Sequence, residues 1–218
     1  MRDPYKLETE IIPGLLEHDW EEIEKKIHLV TPFAPVIHID VIDGKFADNT
    51  TWLDEKPFEK YTKQAVFEVH LMVENPIEYI QPFAKAGFSR FIGHIEHMKS
   101  QTDFVAQAQM YGEVALALDT PTPVEKITVD LEDLDFMFVM TVKAGFSHQT
   151  FLPEMLEKVK QLREKDVFLP IEIDGGVNDK TIVEAKEAGA TRFVTTGFIF
   201  NHEHTEEQYK TLLSLGKR

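Results

Sequence analysis

His38 and Asp40 interrupt the otherwise apolar run IHIDVIDGKF, residues 37–46. Buried polar groups cost free energy unless they are paired or put to use. Side chains alternate faces along a strand, so His38 and Asp40 share one face while Ile37, Ile39 and Val41 share the other. The same alternation pairs Glu68 with His70 in AVFEVHLM and Glu172 with Asp174 in PIEID. Imidazole and carboxylate together suit Zn²⁺, Fe²⁺ or Mn²⁺. His38, Asp40, His70 and Asp174, converging from three strands, form a candidate site for one divalent metal. The two aspartates are also candidates for acid and base, with a metal polarising a substrate carbonyl or stabilising an enediolate. A single buried His or Asp is more often satisfied by backbone or by a partner. Four of them at corresponding strand ends favour a site.

Other polar groups carry weaker signals. Asp43 and Gly44 follow a strand as an Asp-Gly pair, which reads as turn chemistry. GHIEHM offers a rival ligand group, with His94 ending a strand toward the cavity and His97 in the loop; neither receives a role. His202 and His204 in FNHEHTEE are expected to be solvated at the start of the last helix.

These residues need elements to position them. Eight short apolar or β-branched runs read as strands: EIIPG, PVIHID, AVFEVHLM, RFIGHI, EVALALD, DFMFVMTV, FLPIEID and RFVTTG. Between them lie helical patterns. DWEEIEKKIHLV spaces Trp20, Ile23 and Ile27 on one face after a capping Asp19. PIEYIQPFAKAG has proline near its start and glycine past its end, and PEMLEKVKQLREK, DKTIVEAKEAG and TEEQYKTLLSLG follow a similar grammar. Strand then helix, repeated eight times, predicts an α/β fold, a single (β/α)8 TIM barrel. A doubly wound open sheet is the alternative, but the first turn, PGLLEHDW, lacks G-x-G-x-x-G. In a barrel the chemistry lies at the C-terminal ends of the strands, where His38, Asp40, His70 and Asp174 stand.

The chain has 218 residues, 43% hydrophobic with sixteen Phe, and shows no linker or low-complexity stretch. Residues 1–218 are therefore expected to form one catalytic domain. A net charge of −15 argues against nucleic acid and anionic membranes as partners. There is no cysteine, which excludes disulfides and thiolate chemistry. The opening MRDPYKLETE lacks the apolar stretch of a secretory signal. No run approaches the ~18 to 20 apolar residues of a membrane helix. A soluble, cytoplasmic protein is the expectation.

Taken together, the motifs resemble the ribulose-phosphate 3-epimerase family. IHIDVIDGKF is similar to its H-x-D-x-M-D-G-x-F signature, FEVHLMVENPIEYI to D-x-H-L-M-x-x-N-P, FVMTVKAGFSHQTFLPEMLEKV to V-x-P-G-F-x-G-Q-x-F-x-P, and IEIDGGVNDKT to E-x-D-G-G-x-N. They occur in the family's order between about residues 36 and 200. The resemblance implies a ribulose-phosphate-binding barrel and one divalent metal (Zn, Fe, Mn or Co) on His38, Asp40, His70 and Asp174. It implies that Asp40 and Asp174 exchange a proton with C3 of a ketose phosphate from opposite faces. That would interconvert D-ribulose 5-phosphate and D-xylulose 5-phosphate, a pentose phosphate step. It places Met72 and Met140 around the reacting centre, and Gly145, Phe146, Ser147, His148, Gly175, Gly176, Thr196 and Gly197 about the substrate. It also implies a homo-oligomer.

The departures from the family pattern lie at the substrate end. Glu17 stands where I-L-S-A-D has its serine, and Ile42 replaces the first methionine of the signature. P-G-F-G-G-Q reads AGFSHQ, placing Ser147 and His148 where glycines let backbone approach a phosphate. The later G-S reads TTG, with Thr196 and Gly197. Phosphate can still be held by backbone N–H groups at Gly145, Gly175, Gly176 and Gly197. VMTV, PEML and FNH also resemble allulose-6-phosphate epimerases, so a six-carbon substrate is an alternative, as is a divergent sugar-phosphate-binding member without this activity. A decarboxylase or aldolase of a similar barrel uses Asp-x-Lys-x-x-Asp; here DVIDGK has Ile42 at the lysine position, and Lys45 is misplaced by spacing.

Overall fold

In the computed structural model, which describes residues 7–147 and 149–217, eight parallel strands close into a barrel in chain order. They are β1 (Glu10–Leu15), β2 (Val36–Ile42), β3 (Val66–Met72), β4 (Arg90–His94), β5 (Glu113–Leu118), β6 (Phe136–Met140), β7 (Ile171–Asp174) and β8 (Arg192–Thr195). The ring shuts where β1 pairs with β8, Pro13 opposite Thr195. All eight strands expected from the sequence are present.

The helices are α1 (Trp20–Val30), α2 (Ile77–Lys85), α3 (Gln101–Ala108), α4 (Leu156–Lys165), α5 (Thr181–Ala188), α6 (Gly197–Phe200) and α7 (Thr205–Lys217). Asp19 caps α1 as expected, its carboxylate accepting from the N–H groups of Glu21 and Glu22. Ile23, Ile27 and Val30 bury the inner face of that helix. The strand–helix alternation is not uniform, however. After β2 the crossover holds only a 3₁₀ turn, Lys56–Lys60, and after β5 only two, Val124–Lys126 and Leu131–Asp133. Pro121, Pro123 and the β-branched Ile127, Thr128 and Val129 explain the second case, because they disfavour a continuous α-helix. α3, capped by Ser100, and the one-turn α6 were not anticipated.

Two apolar layers follow from the alternation. Ile37, Ile39 and Val41 point outward and pack with Val69, Leu71, Phe91 and Leu116 against the helices. Ile12, Val36, Ile92, Ala115, Phe136, Phe138 and Val194 point inward. The barrel floor is ionic. Glu10, Arg90, Glu113 and Arg192 each begin a strand. The Arg90 guanidinium meets Glu10 at 2.8 Å, Glu113 at 3.0 Å and Glu68 at 3.4 Å. Arg192 lies over the Phe136 ring, 4.5 Å from its centroid. With the floor plugged, space for a ligand is left at the C-terminal ends of the strands.

Candidate metal centre and active site

β2 and β3 pair in register along their length, so that His38 lies opposite Glu68 and Asp40 opposite His70. β7 brings Asp174 to the same level, where it pairs with Val194 of β8 and Met140 of β6. His38, Asp40, His70 and Asp174 each place one donor atom within 4.8 Å of all the others. The first three are buried and Asp174 is partly exposed. The convergence expected from the strand period is therefore realised.

The hydrogen bonds define the donors. His38 Nδ1 is 2.7 Å from Glu68 Oε1, and its Nε2 is 3.3 Å from Asp40 Oδ1. A carboxylate only accepts, so Nδ1 of His38 carries a hydrogen. In the neutral ring, Nε2 then offers its lone pair to the cluster. His70 Nδ1 faces the same Asp40 oxygen at 2.8 Å. Two imidazole nitrogens and two carboxylates thus meet around one point, a donor set that fits a single divalent cation.

Electrostatics differ sharply across these groups in the metal-free chain. Burial pushes Asp40 up, but the charge of His38 and the hydrogen bonds from His38 and His70 outweigh it and hold Asp40 well below the usual carboxylate range. Asp174 is raised to about 7, first by burial and then by the negative charge of Asp40. His38 is opposed by burial yet raised by Asp40 and Glu68. Burial lowers His70 to about 4, which leaves it neutral. Beneath them, Glu68 resists burial through His38 and Arg90 and sits at about 2. Glu172, fully buried beside it, is raised well above its ordinary value by burial and by the charge of Glu68. In its protonated form Glu172 shares a hydrogen bond with Glu68, and His38 Nδ1 lies 3.8 Å from its Oε1.

A cavity of about 300 Å³ opens above the cluster. Asp40, Met72, Met140, Gly145, Phe146, Ser147, Asp174, Gly175, Gly176, Thr196 and Gly197 all line it. His148 lies outside the described residues. Leu16, Gln149, Asn178 and Phe198 also line it and were not foreseen. No Lys or Arg is among the described lining residues. Gln149 shapes the AGFSHQ loop by donating to the carbonyls of Lys143 (2.6 Å) and Phe146 (2.8 Å). Gly176 has φ +68°, and a Cβ there would stand 2.8 Å from the backbone nitrogen of Phe151, so the loop after β7 needs glycine. The Thr196 hydroxyl donates to Gly14 O at 2.9 Å. A Cβ on Gly14 would come within 3.0 Å of that hydroxyl, so the two positions are matched.

Glu17, which takes the place of the family's serine, turns away from the cavity. Its carboxylate is paired with Lys26, and Leu16 lines the cavity from this strand end instead. Asp43 acts as the turn former expected. Its Oδ1 accepts from the N–H groups of Lys45 (2.9 Å) and Phe46 (3.1 Å), and its Oδ2 from Glu74 (2.9 Å). His202 and His204 are exposed just before α7. His94, left without a role by the sequence, is fully buried and touches His70. Its signal was the strand-end position in RFIGHI, whose facing required the β3–β4 register.

Residues 10–200 match the model of the ribulose-phosphate 3 epimerase family. The chain is 37% identical over 207 residues to ribulose-phosphate 3-epimerase of Schizosaccharomyces pombe, covering 92% of this chain and 91% of that protein. It is 37% identical over 200 residues to a ribulose-phosphate 3-epimerase of Oryza sativa subsp. japonica named as a cytoplasmic isoform, covering 88% and 87%. Among solved structures, 3-keto-L-gulonate-6-phosphate decarboxylase from Vibrio cholerae superposes with a TM-score of 0.71 at 11% identity, over 97% of this chain and 98% of that one. At that identity the likeness speaks to the barrel alone. No helix among the described residues is long and apolar enough to cross a membrane.

Proposed function

The chain belongs to the ribulose-phosphate 3-epimerase family, a family of isomerases, and from that premise we propose that it is a metal-dependent 3-epimerase interconverting D-ribulose 5-phosphate and D-xylulose 5-phosphate. The observation that carries this reading is the placing of Asp40 on β2 and Asp174 on β7, both open to one cavity and both beside two imidazoles. We read residues 1–218 as one catalytic domain.

His38, Asp40, His70 and Asp174 are the residues that would hold the metal. When bound, a divalent ion supplies an electrophile that offsets negative charge developing on the substrate oxygens. The protein's own groups do the proton work. β2 and β7 are separated around the ring by β1 and β8, so their carboxylates approach a bound ketose from different sides. One carboxylate removes the proton from C3 on one face. The other delivers a proton to the opposite face, and the roles exchange for the reverse reaction. Met72 and Met140 flank this centre with apolar, polarisable side chains that exchange no protons. With no Lys or Arg among the described lining residues, the phosphate is held by main-chain N–H groups about Gly175, Gly176, Thr196 and Gly197 and by the hydroxyl of Ser147.

The test is conversion of substrate. Protein loaded with Zn²⁺, Fe²⁺ or Mn²⁺ is mixed with ribulose 5-phosphate, and xylulose 5-phosphate is followed by NMR. Turnover supports the five-carbon reading. Turnover of allulose 6-phosphate alone would favour the six-carbon alternative, which rests on the VMTV, PEML and FNH segments. Inertness toward both, with metal bound, would favour a binding role without this activity.

A further inference from the structure

His94 and Glu96 take no part in the chemistry above, yet they are built against it. His94 ends β4, fully buried, with the Phe46 ring covering it at a centroid distance of 4.6 Å. Its Nε2 lies 2.8 Å from Nε2 of His70, and its Nδ1 lies 3.1 Å from Oε2 of Glu96. The Glu96 side chain is only 19% exposed. Its other oxygen accepts the N–H of Asp119 at 2.9 Å. The Asp119 turn is held in its place by Lys158, which donates to the carbonyls of Asp119 (2.7 Å) and Thr120 (2.9 Å).

This chain of contacts has a direction. A carboxylate accepts only, so Nδ1 of His94 carries a hydrogen toward Glu96. Neutral His94 then has a bare Nε2, turned to Nε2 of His70 at 2.8 Å. Without a cation, Nδ1 of His70 donates to Asp40 Oδ1. A cation held among His38, Asp40 and Asp174 would displace that hydrogen, and the bare Nε2 of His94 would then accept the His70 hydrogen from Nε2 and leave the Nδ1 lone pair to the cation. We propose that Glu96 and His94 are positioning residues that hold His70, once a divalent cation enters, as its Nε2–H tautomer and so present Nδ1 to that ion. The inference rests on the reading of the cluster as a metal centre. Groups behind a metal-bound imidazole set its tautomer and orientation in this way.

The decisive variant is Glu96→Gln. The Asp119 N–H requires an oxygen, so the amide oxygen of the new side chain stays there and its NH₂ faces His94 Nδ1. Hydrogen-bond polarity then reverses along the chain: His94 donates from Nε2, and the His70 hydrogen is held on Nδ1, where it blocks the metal. His94→Gln keeps an acceptor for His70 and a donor for Glu96, whereas His94→Phe removes both. The readouts are zinc affinity by chelator competition, ¹⁵N shifts of the His70 ring in the zinc-loaded protein, and the melting temperature of the metal-free protein. Glu96→Gln is expected to lose about ten- to a hundredfold in zinc affinity with an unchanged metal-free melting temperature. His94→Gln should stay close to wild type and His94→Phe should fall with Glu96→Gln. Wild-type affinity in Glu96→Gln, or a hydrogen on Nδ1 of His70 in the wild-type zinc complex, would overturn the relay while leaving the metal centre standing. A wild-type protein that binds no zinc, iron or manganese would overturn both.

Discussion

Asp40 and His70 face each other across β2 and β3, their Cα atoms paired in the ladder and Oδ1 lying 2.8 Å from Nδ1. The pairing belongs to strand register rather than to a loop. A slip of one residue in either strand would turn that strand's polar side chain to the outer face and put an apolar neighbour in its place. The centre is therefore held by the same hydrogen bonds that close the barrel, and its geometry survives changes in the loops above it.

Asp40→Asn removes one of the two proton-handling carboxylates and weakens one metal ligand without changing volume. The fold should be kept, as judged by circular dichroism, while epimerisation falls by about a hundred- to ten-thousandfold. Turnover near that of wild type would contradict a mechanism with two carboxylates.

Metal binding should be steeply dependent on pH. In the metal-free protein Asp174 sits at about 7 and His38 is raised above its ordinary value, so both carry protons in mildly acid solution. A cation must displace those protons. Apparent zinc affinity should therefore fall as pH drops from about 8 to 6, by roughly tenfold per unit below 7 from Asp174 alone, with His38 adding to the slope. Calorimetry in two buffers of different ionisation enthalpy should report proton release. Affinity that stays level over this range would contradict the ligand assignment.

The ionic floor should be a stability element. Arg90 is 7% exposed and contacts Glu10, Glu68 and Glu113. Arg90→Met leaves buried Glu68 without its cation. Breaking a buried pair costs about 3–5 kcal/mol. Glu10 and Glu113 are partly solvated, so the lower end, about 3 kcal/mol, is expected in urea unfolding. A change below about 1 kcal/mol, the scale of an exposed pair, would show the floor to be incidental.

Much of this arrangement was legible because strands alternate. Once IHIDVIDGKF, AVFEVHLM and IEID were read as strands, His38, Asp40, His70 and Asp174 fell on inward faces at matching ends. The Asp43 turn was legible for a local reason, since its carboxylate binds N–H groups two and three residues on. What depends on register between strands was not legible. His94 meets His70 because His70 pairs with Ile92, a relation that no periodicity reports. Glu10, Arg90, Glu113 and Arg192 are charged residues at the starts of four strands, and only closure of the ring brings them together. Glu17 could be aligned to a serine by count alone, but its pairing with Lys26 of α1 turns it outward.

Gly176→Ala should separate binding from chemistry. The new Cβ would meet Phe151 backbone atoms at 2.8–2.9 Å in a left-handed conformation, at a cost of about 1–3 kcal/mol. Melting temperature should fall, and KM for the sugar phosphate should rise more than kcat drops, because the loop lines the cavity beside the carboxylates. Unchanged KM would place the phosphate elsewhere.

The most direct measurement is the origin of the hydrogen at C3. Zinc-loaded protein is incubated with ribulose 5-phosphate in deuterated water and the product followed by NMR. Two carboxylates acting from opposite faces predict xylulose 5-phosphate carrying deuterium at C3, because the delivered hydrogen comes from a group in exchange with solvent. Xylulose 5-phosphate formed with its original hydrogen at C3 would contradict the account.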